Sequence, residues 1–157
     1  MSLGKLIIRS VKEFIARIIK KSIEVKEDNM TLKYFTKDEF QCNCKSCKEK
    51  GGTGENMDVD FLIMLDKARD ISGVPFKINS GYRCPNHNKN VGGVSSSSHK
   101  NIPCNAVDIS TKDSVTRFKV VQSLLEVGFV RLGIGETFIH CDTDTNKKSS
   151  EVFWTYY

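Results

Sequence analysis

Between Gly4 and Val25 apolar residues recur at helical spacing. Ile7, Val11, Phe14 and Ile18 form one stripe with Ile8, Ile15 and Ile19 beside it, while Lys5, Arg9, Lys12, Arg17, Lys20 and Lys21 lie largely off it. That period predicts an amphipathic helix. Glu24 to Asn29 is polar and reads as a linker, so the pattern divides the chain into residues 1–29 and a domain over 30–157. Thr36 followed by Glu39 has the spacing of a capping box and predicts a short helix. Asp58 is a good N-cap for a helix carrying Phe61, Leu62, Leu65, Ala68 and Ile71 on its inner face, ended by Gly73 and Pro75. A second core helix is predicted from Ser114 to Val127, with Val115, Phe118, Val121, Leu124 and Leu125 inward and Gly128 as its stop.

The period then changes. Phe76 to Asn79 alternates as a strand does and delivers Ser80 to Arg83 to the rim of a site. Phe129–Ile134, Thr137–Asp142 and Val152–Tyr156 read as three further strands, the first two joined by a tight Gly135-Glu136 turn. Pro85 to Asn88 reads as a turn holding a scaffold histidine, His87, and Gly92 to Ser98 as a flexible loop edging a cleft. The fold class that follows is α+β: an antiparallel sheet with helices packed on it, a cleft at the site, and the N-terminal amphipathic helix in addition.

At 157 residues, 39% hydrophobic and 27% charged, the composition is that of one ordinary globular domain with an appendage. The net charge is +5, from 24 basic against 19 acidic residues, with much of the excess in the first thirty positions. No interleaved basic and aromatic pattern suggests nucleic acid as a partner. The basic helix could lie on an anionic membrane surface, self-associate, or pack on its own domain. Charges interrupt its apolar run, and no small-residue cleavage site follows, so it reads as neither a secretory signal nor a membrane span.

The chemistry concentrates at His99, Asp108 and His140. Zinc takes imidazole nitrogen and carboxylate oxygen, and a catalytic site uses three protein ligands so that a fourth position stays open. Asp142 shares the strand face of His140 and is the preferred base or water partner, with orientation of a ligand as its alternative role. Glu136 is the second candidate. Cys42, Cys44 and Cys47 invite a second metal site with Cys84 as fourth ligand, but the spacing departs from paired CxxC knuckles and favours packed free thiols or one local disulfide.

The sequence Ser80-Gly81-Tyr82-Arg83-Cys84-Pro85-Asn86-His87-Asn88 is followed by Val91-Gly92-Gly93, Ser98-His99, Ala106-Val107-Asp108-Ile109 and Phe138-Ile139-His140-x-Asp142. Together these resemble the M15 family of zinc D-Ala-D-Ala peptidases, and more narrowly its small phage and prophage members. Tyr34-Phe35, Phe40-x-Cys42, Arg131-Leu132-Gly133-Ile134-Gly135 and Trp154 extend the likeness. The resemblance implies that His99, Asp108 and His140 bind Zn2+, that Arg83 contacts a substrate carboxylate or carbonyl, and that Ser80 and Tyr82 belong to the same substrate-binding motif. Two departures stand out. Nine positions separate His99 from Asp108, a longer interval than usual, and the extra residues, Pro103 and Cys104 among them, are expected to bulge as a loop. Some branches place an acidic base three residues before the last His, where this chain has Thr137.

The implied function is zinc-dependent hydrolysis of peptidoglycan stem or cross-link peptides at or near D-alanine bonds, as a carboxypeptidase or endopeptidase. The competing expectation is a non-catalytic, zinc-containing module that binds the cell wall or belongs to a phage particle. Either way the chain would be made in the cytoplasm and carried to the wall by another agent, such as phage lysis or a virion.

Overall fold

Asp108 and His140 face each other across a strand pair, and the sheet is best described outward from that pair. In the computed structural model, which describes residues 12, 13, 15, 32–50, 53–146 and 149–156, the strands are β1 (Ile78–Ser80), β2 (Ala106–Ser110), β3 (Arg131–Ile134), β4 (Phe138–Asp142) and β5 (Val152–Thr155). They form one sheet in the order β1-β2-β4-β3-β5. β1 with β2, β2 with β4 and β4 with β3 are antiparallel, whereas β5 joins the edge of β3 in parallel. The α+β expectation therefore holds, with a mixed and mostly antiparallel sheet in place of a purely antiparallel one. β2 is not among the strands expected from the pattern. It is short, and Asp108 interrupts its apolar run, yet it pairs with β4 along its whole length.

Four α-helices accompany the sheet among the described residues: α1 (Lys45–Lys48), α2 (Val59–Ser72), α3 (Pro85–Asn90) and α4 (Ser114–Glu126). The two long ones start as the sequence indicates. The Asp58 carboxylate accepts from the Phe61 N–H at 2.8 Å and that of Asp113 from the Thr116 N–H at 2.8 Å, each satisfying an amide that a helix start leaves open. Gly73 ends α2 at φ 64°, a left-handed conformation that glycine adopts without strain. The expected capping box opens a 3-10 turn, Lys37–Phe40, in which the Glu39 carboxylate accepts from the Thr36 N–H at 3.0 Å.

The inner face of α4 differs from the expected one. Val120, Ser123 and Leu124 are buried, while Val115 and Phe118 are 66% and 67% exposed, and Leu125 is exposed too. The expected stripe shares only Leu124 with the buried face. Ser123 explains the error: its hydroxyl donates to the Val120 carbonyl at 3.0 Å, which lets a polar residue sit in the core and shifts the buried face around the helix. On α2, Phe61, Leu62, Leu65 and Ala68 are inward as expected, whereas Ile71 is exposed. Phe61 meets Phe129 edge to face at 5.4 Å, tying α2 to the segment that enters β3.

The loop between His99 and β2 is pinned rather than free. Cys104 is fully buried; its N–H donates to the Asn56 carbonyl at 2.6 Å and its carbonyl accepts from the Asp58 N–H at 2.8 Å. Pro85 to Asn88, expected as a turn, belongs to α3, with Pro85 at its first position, where a missing N–H costs nothing.

The chain divides into two compact units, residues 1–31 and 32–157. The amphipathic helix expected over Gly4 to Val25 lies outside the described residues except at Lys12, Glu13 and Ile15, which are helical. The second unit is anchored at its start, where the Asp66 carboxylate on α2 accepts from the N–H groups of Lys33 and Tyr34 at 3.0 and 2.9 Å.

Candidate active site

Register builds the site. Asp108 on β2 is the direct partner of His140 on β4, and Gly133 on β3 is the next residue along the same row. Side chains at paired positions of adjacent strands project to one face of the sheet. His99 reaches the pair from the 3-10 turn Ser98–Lys100. The Asp108 Oδ1, His99 Nε2 and His140 Nδ1 atoms then form a small triangle: 3.2 Å from His99 to Asp108, 3.2 Å from His99 to His140 and 2.8 Å from His140 to Asp108.

The outer partners of the two rings decide what the triangle can hold. His99 Nδ1 lies 2.7 Å from the Gly81 carbonyl, which can only accept, so Nδ1 carries the proton and Nε2 offers a lone pair. His140 Nε2 lies 3.0 Å from Asp142 Oδ2, which fixes the other tautomer and turns the Nδ1 lone pair inward. Two lone pairs and an anionic oxygen thus converge on one point, an arrangement that calls for a cation. Ligand bonds of about 2.0 to 2.1 Å at a tetrahedral zinc would set its donors about 3.3 Å apart, close to the spacing found. The fit to zinc is good.

The electrostatics agree. Burial works against the charge on Asp108, but hydrogen bonds from His140 and His99 outweigh it and hold the carboxyl well below the usual carboxylate range. Burial lowers the proton affinity of His99. His140 is also penalised by burial, yet hydrogen bonds to Asp108 and Asp142 on its two sides raise its pKa above the ordinary value.

A ring of further residues holds this set in place. Arg83 Nη2 donates to Asp108 Oδ2 at 2.9 Å, leaving Oδ1 to face the imidazoles. Asp142 makes three bonds: with His140, with Arg131 Nε at 2.7 Å and with the Asp144 N–H at 2.9 Å. Burial opposes its charge, and His140 and Arg131 more than offset that, holding its pKa below the ordinary value. Trp154 and Tyr156, following β3 in parallel, stand 5.5 and 6.4 Å from the His140 ring. Gly133 makes room for them, because a Cβ there would lie 2.6 Å from both rings. The whole opens into a cleft of about 460 Å³ whose lining includes Arg83, His99, Arg131, His140, Trp154 and Tyr156, with the Gly92 to Ser98 loop along one edge.

Residues 33–142 match the peptidase M15 family. The chain belongs to that family. No curated protein matches it. As an M15 peptidase it is a hydrolase that acts on peptides, and peptidases of this family are generally metal-dependent.

Against the M15 expectation the candidate residues fall into two groups. His99, Asp108 and His140 are brought together, with Arg83 bound to Asp108 and Asp142 to His140. Tyr82 is only 6% exposed and does not line the cleft; its N–H donates to the Phe40 carbonyl at 2.9 Å, so it serves the core. Ser80 lines an adjoining depression of about 260 Å³ that shares Arg83 with the cleft and also includes Asp108. Glu136 is exposed at the β3–β4 turn and is absent from the cleft lining. The sequence alone assigns no role to Arg131 or Tyr156. Arg131 had left a signal: an arginine between Val130 and Leu132 in an apolar strand is costly to bury unless a carboxylate meets it.

Proposed function

We propose that this M15 peptidase is a zinc enzyme that hydrolyses peptidoglycan peptides at or near D-alanine bonds. The observation that carries the reading is the convergence of His99 Nε2, Asp108 Oδ1 and His140 Nδ1 within 3.2 Å of one another beside an open cleft. Zinc held there by these three residues would supply a Lewis acid for a peptide carbonyl and acidify water near neutral pH. The protein's own part is positioning. Gly81 and Asp142 fix the two imidazole tautomers, Arg83 orients Asp108, and Arg131 fixes Asp142. Arg83 and Arg131 also put two guanidinium groups on the cleft wall, which suits a peptide ending in a carboxylate. Trp154 and Tyr156 give that wall an apolar surface for a short aliphatic side chain such as that of D-alanine.

One observation favours the second reading, a wall-binding module without turnover. Among the described residues Asp142 is the one carboxylate lining the cleft, and it is already committed to Arg131 and His140. The discriminating experiment is release of peptide fragments from purified sacculi. The enzyme reading expects release that a chelator stops and added zinc restores. Binding to sacculi with no release at saturating zinc would replace it with the module reading.

The proposal extends to organisation and place of action. Residues 30–157 carry the peptidase and residues 1–29 form an accessory segment, with delivery to the wall by another agent. A chain starting at Met30 is expected to fold and to keep full activity on a soluble muropeptide, since the anchors of its first residues are the Asp66 bonds to Lys33 and Tyr34. Circular dichroism and turnover of that shortened chain check this. Failure to fold would make residues 1–29 part of the core.

A further inference from the structure

The second cluster of metal-ligating side chains lies outside the cleft. Cys42, Cys44 and Cys47, at the start of the domain, meet Cys84, the residue after Arg83, with all four Sγ atoms within 4.8 Å of one another. Cys42 and Cys44 are 3.6 Å apart through sulfur, and Cys44 and Cys84 3.8 Å. These separations far exceed a disulfide bond of about 2.05 Å, and all six cysteines of the chain are free, which sets aside the local disulfide considered from the sequence. They do match a tetrahedron. Zinc–sulfur bonds of about 2.3 Å place neighbouring thiolates about 3.8 Å apart.

We propose that Cys42, Cys44, Cys47 and Cys84 form a second, closed metal site that holds a structural zinc ion. A second observation points the same way. The Cys84 N–H donates to Cys42 Sγ and the His87 N–H to Cys84 Sγ, both at 3.4 Å, so backbone amides are aimed at sulfur as they are where thiolate charge must be stabilised. Lys45 and Lys48 lie on the same turn of helix as Cys47, so the segment that supplies three of the four thiolates carries basic residues of its own. The donor set is complete with four sulfurs, which distinguishes a structural from a catalytic site. Binding releases the thiol protons to solvent and involves no oxidation or reduction.

The position gives the ion a purpose. The ligands join the segment after Phe40 to the residue that follows Arg83, and the chain between is already packed tightly: a Cβ at Gly81 would stand 2.5 Å from the Phe40 carbonyl oxygen. Gly81 offers its carbonyl to His99, and the Arg83 N–H donates to the His99 carbonyl at 2.8 Å. The tetrathiolate site therefore braces the loop that orients His99 and Arg83, without touching substrate.

Cobalt(II) is a suitable probe for the full-length, reduced protein, because thiolate ligation gives intense sulfur-to-cobalt charge-transfer absorption in the near ultraviolet and imidazole–carboxylate ligation does not. Two cobalt ions per chain and that absorption are expected. His140→Ala should lose one ion and keep the band; Cys44→Ser/Cys47→Ser should lose the band and keep the other ion. No charge-transfer band in the reduced wild type, or one that survives in the double cysteine variant, would overturn the proposal while leaving the His99–Asp108–His140 reading untouched. Should the cysteine variant fail to fold, thiol modification of the wild type decides. Zinc should slow labelling of Cys44 and Cys47 at least tenfold, and equal rates with and without zinc would refute the site. Elemental analysis of the protein as purified should find zinc; iron in the sulfur set would overturn the choice of metal.

Discussion

Replacing His140 by Ala should remove the metal from the cleft and abolish hydrolysis of sacculi. Loss of an outer partner already weakens metal binding about 10- to 100-fold, and loss of a direct ligand from a three-residue set should exceed that. Elemental analysis after dialysis, paired with peptide release, measures both quantities on one sample. The cluster at Cys42, Cys44, Cys47 and Cys84 is the expected source of any remaining ion, so the result is read as a fall of one ion per chain. Undiminished zinc with unchanged turnover would remove His140 from the ligand set, and with it the reading of the triangle as a metal centre. A circular dichroism control is needed, because the truncation leaves Asp142 and Arg131, both buried, without their neighbour.

The second large effect concerns Asp142. The strand-face argument from sequence makes it a proton acceptor, whereas its bonds to His140, Arg131 and the Asp144 N–H are those of a group that orients a ligand. Asp142→Asn separates the two roles. Orientation predicts zinc affinity lower by about 10- to 100-fold, with turnover close to wild type once zinc is saturating. Proton transfer predicts a loss on the order of 10² to 10⁴ in rate that added zinc does not repair. Glu136→Gln, at the exposed β3–β4 turn, is the companion variant and is expected to leave both quantities unchanged. A dead Glu136→Gln enzyme with full zinc would make that carboxylate the base and require the turn to move over the cleft.

Much of the fold could be read from local patterns because the elements concerned are locally determined. Asp58 and Asp113 cap their helices through bonds to residues three positions on, and β3 and β4 are neighbours joined by a short turn, so no distant information was needed. Failures came where a distant partner decides, or where a polar side chain is satisfied close by. The buried face of α4 shifted because Ser123 satisfies its own hydroxyl within the helix, a compensation that a count of apolar residues misses. β2 was not legible as a strand because its polar centre, Asp108, makes sense only opposite His140. The parallel pairing of β5 depends on the far edge of β3.

The site follows the same division. Residue types in His99, Asp108 and His140 pointed to a metal set, since few other arrangements use two imidazoles and a carboxylate together. Roles for the neighbours were harder to assign. Tyr82, part of the Ser-Gly-Tyr-Arg run, turns into the core while Arg83 turns to Asp108, as adjacent residues of an extended segment do. The members of the cysteine cluster, Cys84 included, were legible in the sequence, but the sulfur spacing that suits a metal better than packed thiols was not, because the ligands depart from paired CxxC spacing.

The placement of β5 separates two jobs along the chain. Every proposed ligand of the cleft lies within residues 33–142, the stretch that matches the M15 family, whereas the aromatic wall comes later in the chain, from Trp154 on β5 and Tyr156 just after it. Substitutions in that last strand would therefore reshape the wall of the cleft without removing any proposed ligand. Within this fold, the aromatic wall of the cleft and its proposed metal ligands are inherited on separate segments.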